Sequence, residues 1–152
     1  MAASLESALN AGWLVLAIGE LRLALPQVDA RQIELASDLE APDGDGGEAG
    51  WLRRRGGARW PAYSLDPGLR PQRPAPAGQR LCVFFGTRED TRGLLCDRVW
   101  PLAEDDELRY EPLPACMNGA RSPAAGLARF QEGVVMVTSA AALGAYLDAL
   151  VA

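Results

Sequence analysis

The sequence predicts a mainly β protein assembled from small barrels. Three observations carry this reading. The apolar runs have strand length, as in Trp13 to Ile18 and Leu81 to Phe85. The 16 glycines and 11 prolines punctuate the chain between those runs. Helical periodicity is confined to the two ends.

Taken in order, Ser4 caps a short N-terminal helix over residues 1–12, with Leu5, Ala8 and Leu9 on one face and Gly12 as its stop. Trp13 to Ile18 is a continuous apolar strand, Gly19-Glu20 a two-residue turn, and Leu21, Leu23 and Leu25 alternate with Glu20, Arg22 and Ala24. These form a hairpin ended by Pro26, which has no N–H to give. Ala30 to Leu35 reads as another strand. Ser37 to Gly50 then carries Asp38, Glu40, Asp43, Asp45 and Glu48 among four glycines with no positive charge, the composition of a solvated loop. Trp60 to Leu65 alternates as a strand. Asp66 to Gly78, with four prolines, connects two halves. Leu81 to Phe85 and Arg92 to Trp100 form a second hairpin around the tip Gly86 to Thr91. Phe84 and Phe85 cannot both point to one face, so one of them is expected to line the junction between barrels, where a partner groove would lie. Val134 to Val137 is a buried strand. Thr138 or Ser139 caps a closing helix whose Leu143, Tyr146, Leu147 and Leu150 follow one apolar face. The organisation is a helix over 1–12 and one domain over 13–152, with halves at about 13–70 and 78–138 and a closing helix at 139–150.

Composition narrows the function. The chain has 152 residues and a net charge of −5, a poor balance for binding nucleic acid. It contains no histidine, and all 15 positive charges are arginine. A histidine triad, a phosphate-loop lysine and lysine-based covalent catalysis are thereby excluded. Cys82, Cys96 and Cys116 are too widely spaced for a C-x-x-C metal pair, and no motif calls for a cofactor. No secretory leader or stretch of membrane-spanning length is visible, so the expectation is a cytoplasmic protein not inserted in a membrane.

The order of segments resembles the CheW-like family of chemotaxis adaptors. Ile18-Gly19-Glu20-Leu21-Arg22-Leu23-Ala24-Leu25-Pro26 is similar to that family's first hairpin. Gly50-Trp51-Leu52-Arg53-Arg54-Arg55-Gly56 stands where the family has Gly-x-x-Asn-Leu-Arg-Gly. Trp60-Pro61-Ala62-Tyr63-Ser64-Leu65 resembles the following strand, and Gly93-Leu94-Leu95-Cys96-Asp97-Arg98-Val99 the second-half hairpin. The resemblance covers about Trp13 to Leu150. It implies two five-stranded, SH3-like barrels and a scaffold, without catalytic residues, linking chemoreceptors to the histidine kinase CheA or serving twitching motility through a type IV pilus array. The chain departs from the pattern at the family's Asn, which falls on Arg53, its Leu, on Arg54, and a strand-end Glu, on Gln32. The family Arg that pairs with that Glu aligns with Arg55, so Gln32 is expected to accept a hydrogen bond from Arg55 without an ion pair.

The candidate partner-binding residues are Gln32, Ile33, Trp51, Arg53, Arg54, Arg55 and Trp60. Arginine and tryptophan together are what protein interfaces enrich. Trp51 to Arg80 holds seven arginines against Asp66 alone, so the acidic segment before it can fold back over the basic patch. An alternative is a barrel that binds an anion or cyclic dinucleotide through Arg53 to Arg59, since Arg55-x-x-x-Arg59 resembles the opening motif of PilZ domains. The run Glu104 to Glu107 lacks the spacing of a calcium loop and reads as solvated.

Overall fold

The computed structural model describes residues 12–44, 46–102, 109–113, 122–130 and 133–151. The expected N-terminal helix (Gly12 apart), the acidic run Glu104 to Glu107 and Cys116 lie outside the described residues. The elements are β1 Trp13–Ile18, β2 Leu21–Pro26, β3 Ala30–Leu35, β4 Gly50–Arg53, β5 Arg59–Tyr63, β6 Leu81–Gly86, β7 Thr91–Cys96, β8 Arg98–Leu102, β9 Arg109–Pro112, β10 Gly126–Phe130, β11 Gly133–Val137 and the helix α1 Ala140–Val151. The protein is mainly β, as expected. One sheet has six strands in the order β8-β1-β2-β11-β10-β9, the other five in the order β3-β6-β7-β5-β4. The arrangement is consistent with two SH3-like subdomains.

The chain interleaves the sheets rather than dividing between them at the proline-rich connection. β1 and β2 join β8 to β11, while β3 to β7 form the other sheet. The halves 13–70 and 78–138 are therefore not the two sheets. The expected single strand Arg92 to Trp100 is two strands, and Asp97 marks the crossing from one sheet to the other. Its N–H donates to the Ala17 carbonyl at 2.8 Å, and its Oδ2 accepts from the Gly19 N–H at 2.6 Å. A carboxylate that ties down the β1–β2 turn explains why the apolar run breaks there.

Strand alternation builds three cores. In β1, Trp13 and Val15 face the interior of the six-stranded sheet with Ala24, Leu102, Ala128 and Val135. Leu14, Leu16 and Ile18 face the other way, onto the seam between the sheets. That is why the run is apolar throughout, with all six residues buried. β6 divides likewise. Cys82 and Phe84 fill the interior of the five-stranded sheet, while Val83 and Phe85 enter the seam. One phenylalanine does reach the junction, but Phe85 is 1% exposed and so offers no surface of its own to a partner. Leu143 and Leu147 of α1 close over it.

The helix is fixed at both ends of its contact. Ser139 Oγ accepts from the Ala142 N–H at 3.1 Å, and Asp29 Oδ2 accepts from the Ala140 N–H at 3.0 Å. Ser139 is thus the cap, while the Thr138 hydroxyl donates to the Pro123 carbonyl at 2.7 Å. Farther along, Arg92 of β7 donates to the Gly144 carbonyl and pairs with Asp148 at 2.6 Å. Replacing Ser139 with alanine is expected to lower stability by about 1 kcal/mol. Adding Asp29→Ala should lower it further, because both groups accept from free N–H donors of one first turn. Urea unfolding of the single and double variants checks this.

Candidate functional site

The register of the five-stranded sheet sorts the candidate residues onto different faces. β4 and β5 pair with Trp51 opposite Pro61, Leu52 opposite Trp60 and Arg53 opposite Arg59. Residues opposite one another share a face. Leu52 and Trp60 share the inward one, where Trp60 lies 5.5 Å from the Phe84 ring. Trp51, Arg53 and Arg59 share the outward face.

At the inward face the Trp60 ring carries two guanidinium groups. Arg54 lies 4.4 Å and Arg31 5.5 Å from its centroid. Both distances are in the range where a cation is attracted to an aromatic ring. Arg54 also donates to Gln32 Oε1 at 3.0 Å, and the Gln32 amide donates to Glu34. The partner of Gln32 is thus Arg54, not the expected Arg55. The hairpin turn causes the change. Gly56 and Gly57 take φ of +85° and +86°, a turn region open chiefly to glycine. Arg55 falls inside that turn, exposed and without an ion pair among the described residues, while Arg54 leads back over Trp60.

At the outward face the acidic segment lies against the arginines. The Glu40 N–H donates to the Trp51 carbonyl at 2.7 Å and the Trp51 N–H to the Glu40 carbonyl at 3.0 Å, so Glu40 adds one bridge to the β4 edge. Its carboxylate accepts from Arg53 Nε at 2.7 Å. Asp43 pairs with Arg59 at 2.8 Å, and Arg59 stacks 4.4 Å from the centroid of Trp51. Arg73 donates to the carbonyls of Gly44 and Glu48 at 3.1 and 3.4 Å. The charge order expected to bring the acidic segment over the basic patch does so through these contacts. The hydrogen bond from Arg59 holds the Asp43 carboxyl below the usual carboxylate range. A lowered pKa keeps that pair intact at neutral pH, and it is lost only as the pH falls through the folded-state value. The Trp51 indole N–H lies near enough to add slightly to that lowering, yet it is buried and makes no full hydrogen bond among the described residues.

Ile33 stands apart from both clusters. On β3, Gln32 and Glu34 are half-buried while Ile33 and Leu35 are 45% and 53% exposed. Ile33 pairs with Val83 and Leu35 with Leu81, so the two continue the outer face beyond the seam core. The sequence reading missed Arg31 and Arg59 as partners of the tryptophans. The hairpin register was the available signal for Arg59, since a strand ending at Arg53 and a glycine-rich turn set it opposite. A bulge between Ala30 and Gln32 places Arg31, and nothing in the sequence marks it. Trp100 stands at the middle of β8. It is half-buried, with Arg22 and Arg98 at 5.5 and 5.6 Å. A cavity of about 180 Å³ between Gly46, Tyr63, Leu65 and Leu150 includes none of the candidate residues.

The cysteines offer no accessible chemistry among the described residues. Cys82 and Cys96 are fully buried. Burial first, then the neighbouring Asp97, pushes the Cys96 thiol up to about 12, and burial raises Cys82 as well. The reactive thiolate is therefore scarce at neutral pH. In a Cys116→Ser background, Ellman's reagent at pH 8 is expected to find no reactive thiol until guanidinium unfolds the chain, and then two. Rapid reaction of the native protein would show that the barrels open. No group of three or more acidic or cysteine side chains that could hold a metal ion occurs among the described residues. No helix there is long and apolar enough to cross a membrane.

Two sheets sharing a sealed seam, with layered arginine and tryptophan on one barrel, define a paired-barrel protein whose distinctive surface is charged and aromatic. No family model and no curated protein matches the sequence. Among solved structures the chain is similar to the scaffolding protein TtCheW from Thermoanaerobacter tengcongensis. The TM-score is 0.61 at 17% identity, covering 85% of this chain and 88% of that one. The likeness shows a CheW-like fold.

Proposed function

We propose that this chain is a non-catalytic signalling adaptor. It would hold a chemoreceptor, a CheA-type histidine kinase or a protein of a type IV pilus system. The observation that carries the reading is the likeness of nearly the whole fold to a scaffolding protein. The surface agrees with it. Trp51, Trp60, Arg53, Arg54 and Arg55 combine aromatic area with directional donors, the composition of interface anchors. Gln32 orients Arg54, and Ile33 supplies an apolar rim on the neighbouring face. Burial of Phe85 within the seam supports a docking surface on the five-stranded barrel rather than at that ring.

Calorimetric titration with the regulatory domain of CheA and with a receptor-tip fragment tests this. Binding to at least one is expected, and Arg54→Ala should weaken it about tenfold or more, as loss of a central interface arginine does. An unchanged melting temperature would keep the effect apart from misfolding. Binding to neither, together with tight binding of cyclic-di-GMP, would replace the adaptor with the anion-binding barrel. That alternative has less support, because Arg53 and Arg59 already hold carboxylates of the chain itself.

A further inference from the structure

We propose that the outward face of β4 and β5 is a docking site for an extended acidic segment of a partner protein, and that residues 40–43 are its built-in competitor. This deepens the adaptor reading and rests on it, because it names the chemistry of the segment the patch receives. The chain's own loop shows what fits. Glu40 adds to the β4 edge through a reciprocal pair of backbone hydrogen bonds at Trp51. Its carboxylate reaches Arg53, and three residues on the carboxylate of Asp43 reaches Arg59. A segment that makes the same bridge at Trp51, leaves the strand after it as this loop does, and carries two acidic side chains at that separation reproduces these contacts. This is strand addition with charge selection.

The bound loop is poised to leave. Both ion pairs are exposed, with side-chain exposures of 67% and 38% for Arg53 and Glu40, and 36% and 57% for Arg59 and Asp43. Exposed pairs of this kind hold weakly. The backbone addition is a single bridge rather than a ladder. The Trp51 indole N–H beneath it is buried and makes no full hydrogen bond among the described residues, so the loop engages that donor only weakly. A partner segment that pairs along more of β4 and accepts from that indole would outcompete it. The outcome is a patch whose apparent affinity is set by how much better the partner fits than the loop does.

Deleting the loop is a poor test, because Glu48 is buried and the carbonyls of Gly44 and Glu48 hold Arg73. Charge neutralisation is cleaner. The probe is a fluorescein-labelled peptide with the chain's own residues 36–44, added in trans and followed by anisotropy at low salt. Glu40→Gln with Asp43→Asn should bind it about three- to tenfold more tightly than the unaltered protein, since two weak competing pairs are removed. A control with equal net charge, Glu20→Gln with Glu89→Gln, should leave affinity unchanged. Adding Arg53→Gln and Arg59→Gln should abolish binding, and raising salt should weaken it. A peptide carrying Gln and Asn in place of its Glu and Asp should bind the unaltered protein more weakly than the acidic one, a comparison that needs no protein variant. Equal affinity for the opened, control and unaltered proteins, or binding that survives loss of both arginines, would overturn the proposal. The probe is a defined peptide, so that failure is read separately from a failure of the kinase and receptor titrations.

Discussion

Phe85→Ala is expected to lower the free energy of unfolding by about 3–5 kcal/mol, the range for truncating a phenylalanine in a packed core. Phe85 is 1% exposed and lies in the cluster that joins both sheets to α1. Its neighbours there are Leu14, Leu16 and Ile18 of β1, Leu94 of β7, and Leu143 and Leu147 of the helix. These belong to three separately braced elements, so they cannot all move in to fill the space. The loss should therefore sit toward the upper part of the range and loosen α1 first. Urea unfolding measures the free energy, and hydrogen exchange of the α1 amides reports the helix. Ile33→Ala, on the edge strand β3 and 45% exposed, should cost far less. Equal losses at the two positions would mean that the seam is not the core joining the sheets.

Gly93→Ala should cost about 3 kcal/mol, the upper end for overpacking. A Cβ on Gly93 would lie 2.5 Å from Cys82 Sγ and 2.7 Å from Phe84 Cε1. Both neighbours are fully buried inside the five-stranded sheet and have no free space to enter. Register explains the collision, because Gly93 stands directly opposite Phe84 across the β6–β7 pair. The ring occupies the room that glycine leaves. Shrinking the ring tests this, since Phe84→Leu should recover part of the loss in the Gly93→Ala background while destabilising the parent protein. The coupling energy in that double-mutant cycle should be clearly nonzero. Simple additivity would place the cause in backbone conformation rather than in the shared space.

Strands β1, β2, β6 and β11 were legible because each is short, largely apolar and flanked by turn residues, whereas β9 and β10, which carry charged side chains, were not read as strands. The closing helix was legible from one face of leucines and a serine at its start. The Phe84–Phe85 dipeptide shows how far alternation reaches, since period two requires one ring on each side of the sheet. It could not say that α1 would cover the outward ring. The site was legible as composition, in a run of arginines between two tryptophans. Its geometry was not. Gln32 meets Arg54 instead of Arg55 because two glycines with positive φ shift the turn by one residue.

What the sequence determined by itself is what depends on neighbours along the chain. That includes strand period, turn chemistry, the helix cap, and the opposite charge of two adjoining segments, which draws them together wherever they fold. What only the tertiary structure decided depends on residues far apart in the chain. It set β1 and β2 beside β8 and β11, sealed the seam with a helix more than fifty residues from Phe85, and placed Arg31 and Arg54 on one ring. Local propensity fixes which groups face outward from a strand. Which distant surface covers them is settled by packing complementarity, and packing has no one-dimensional signature.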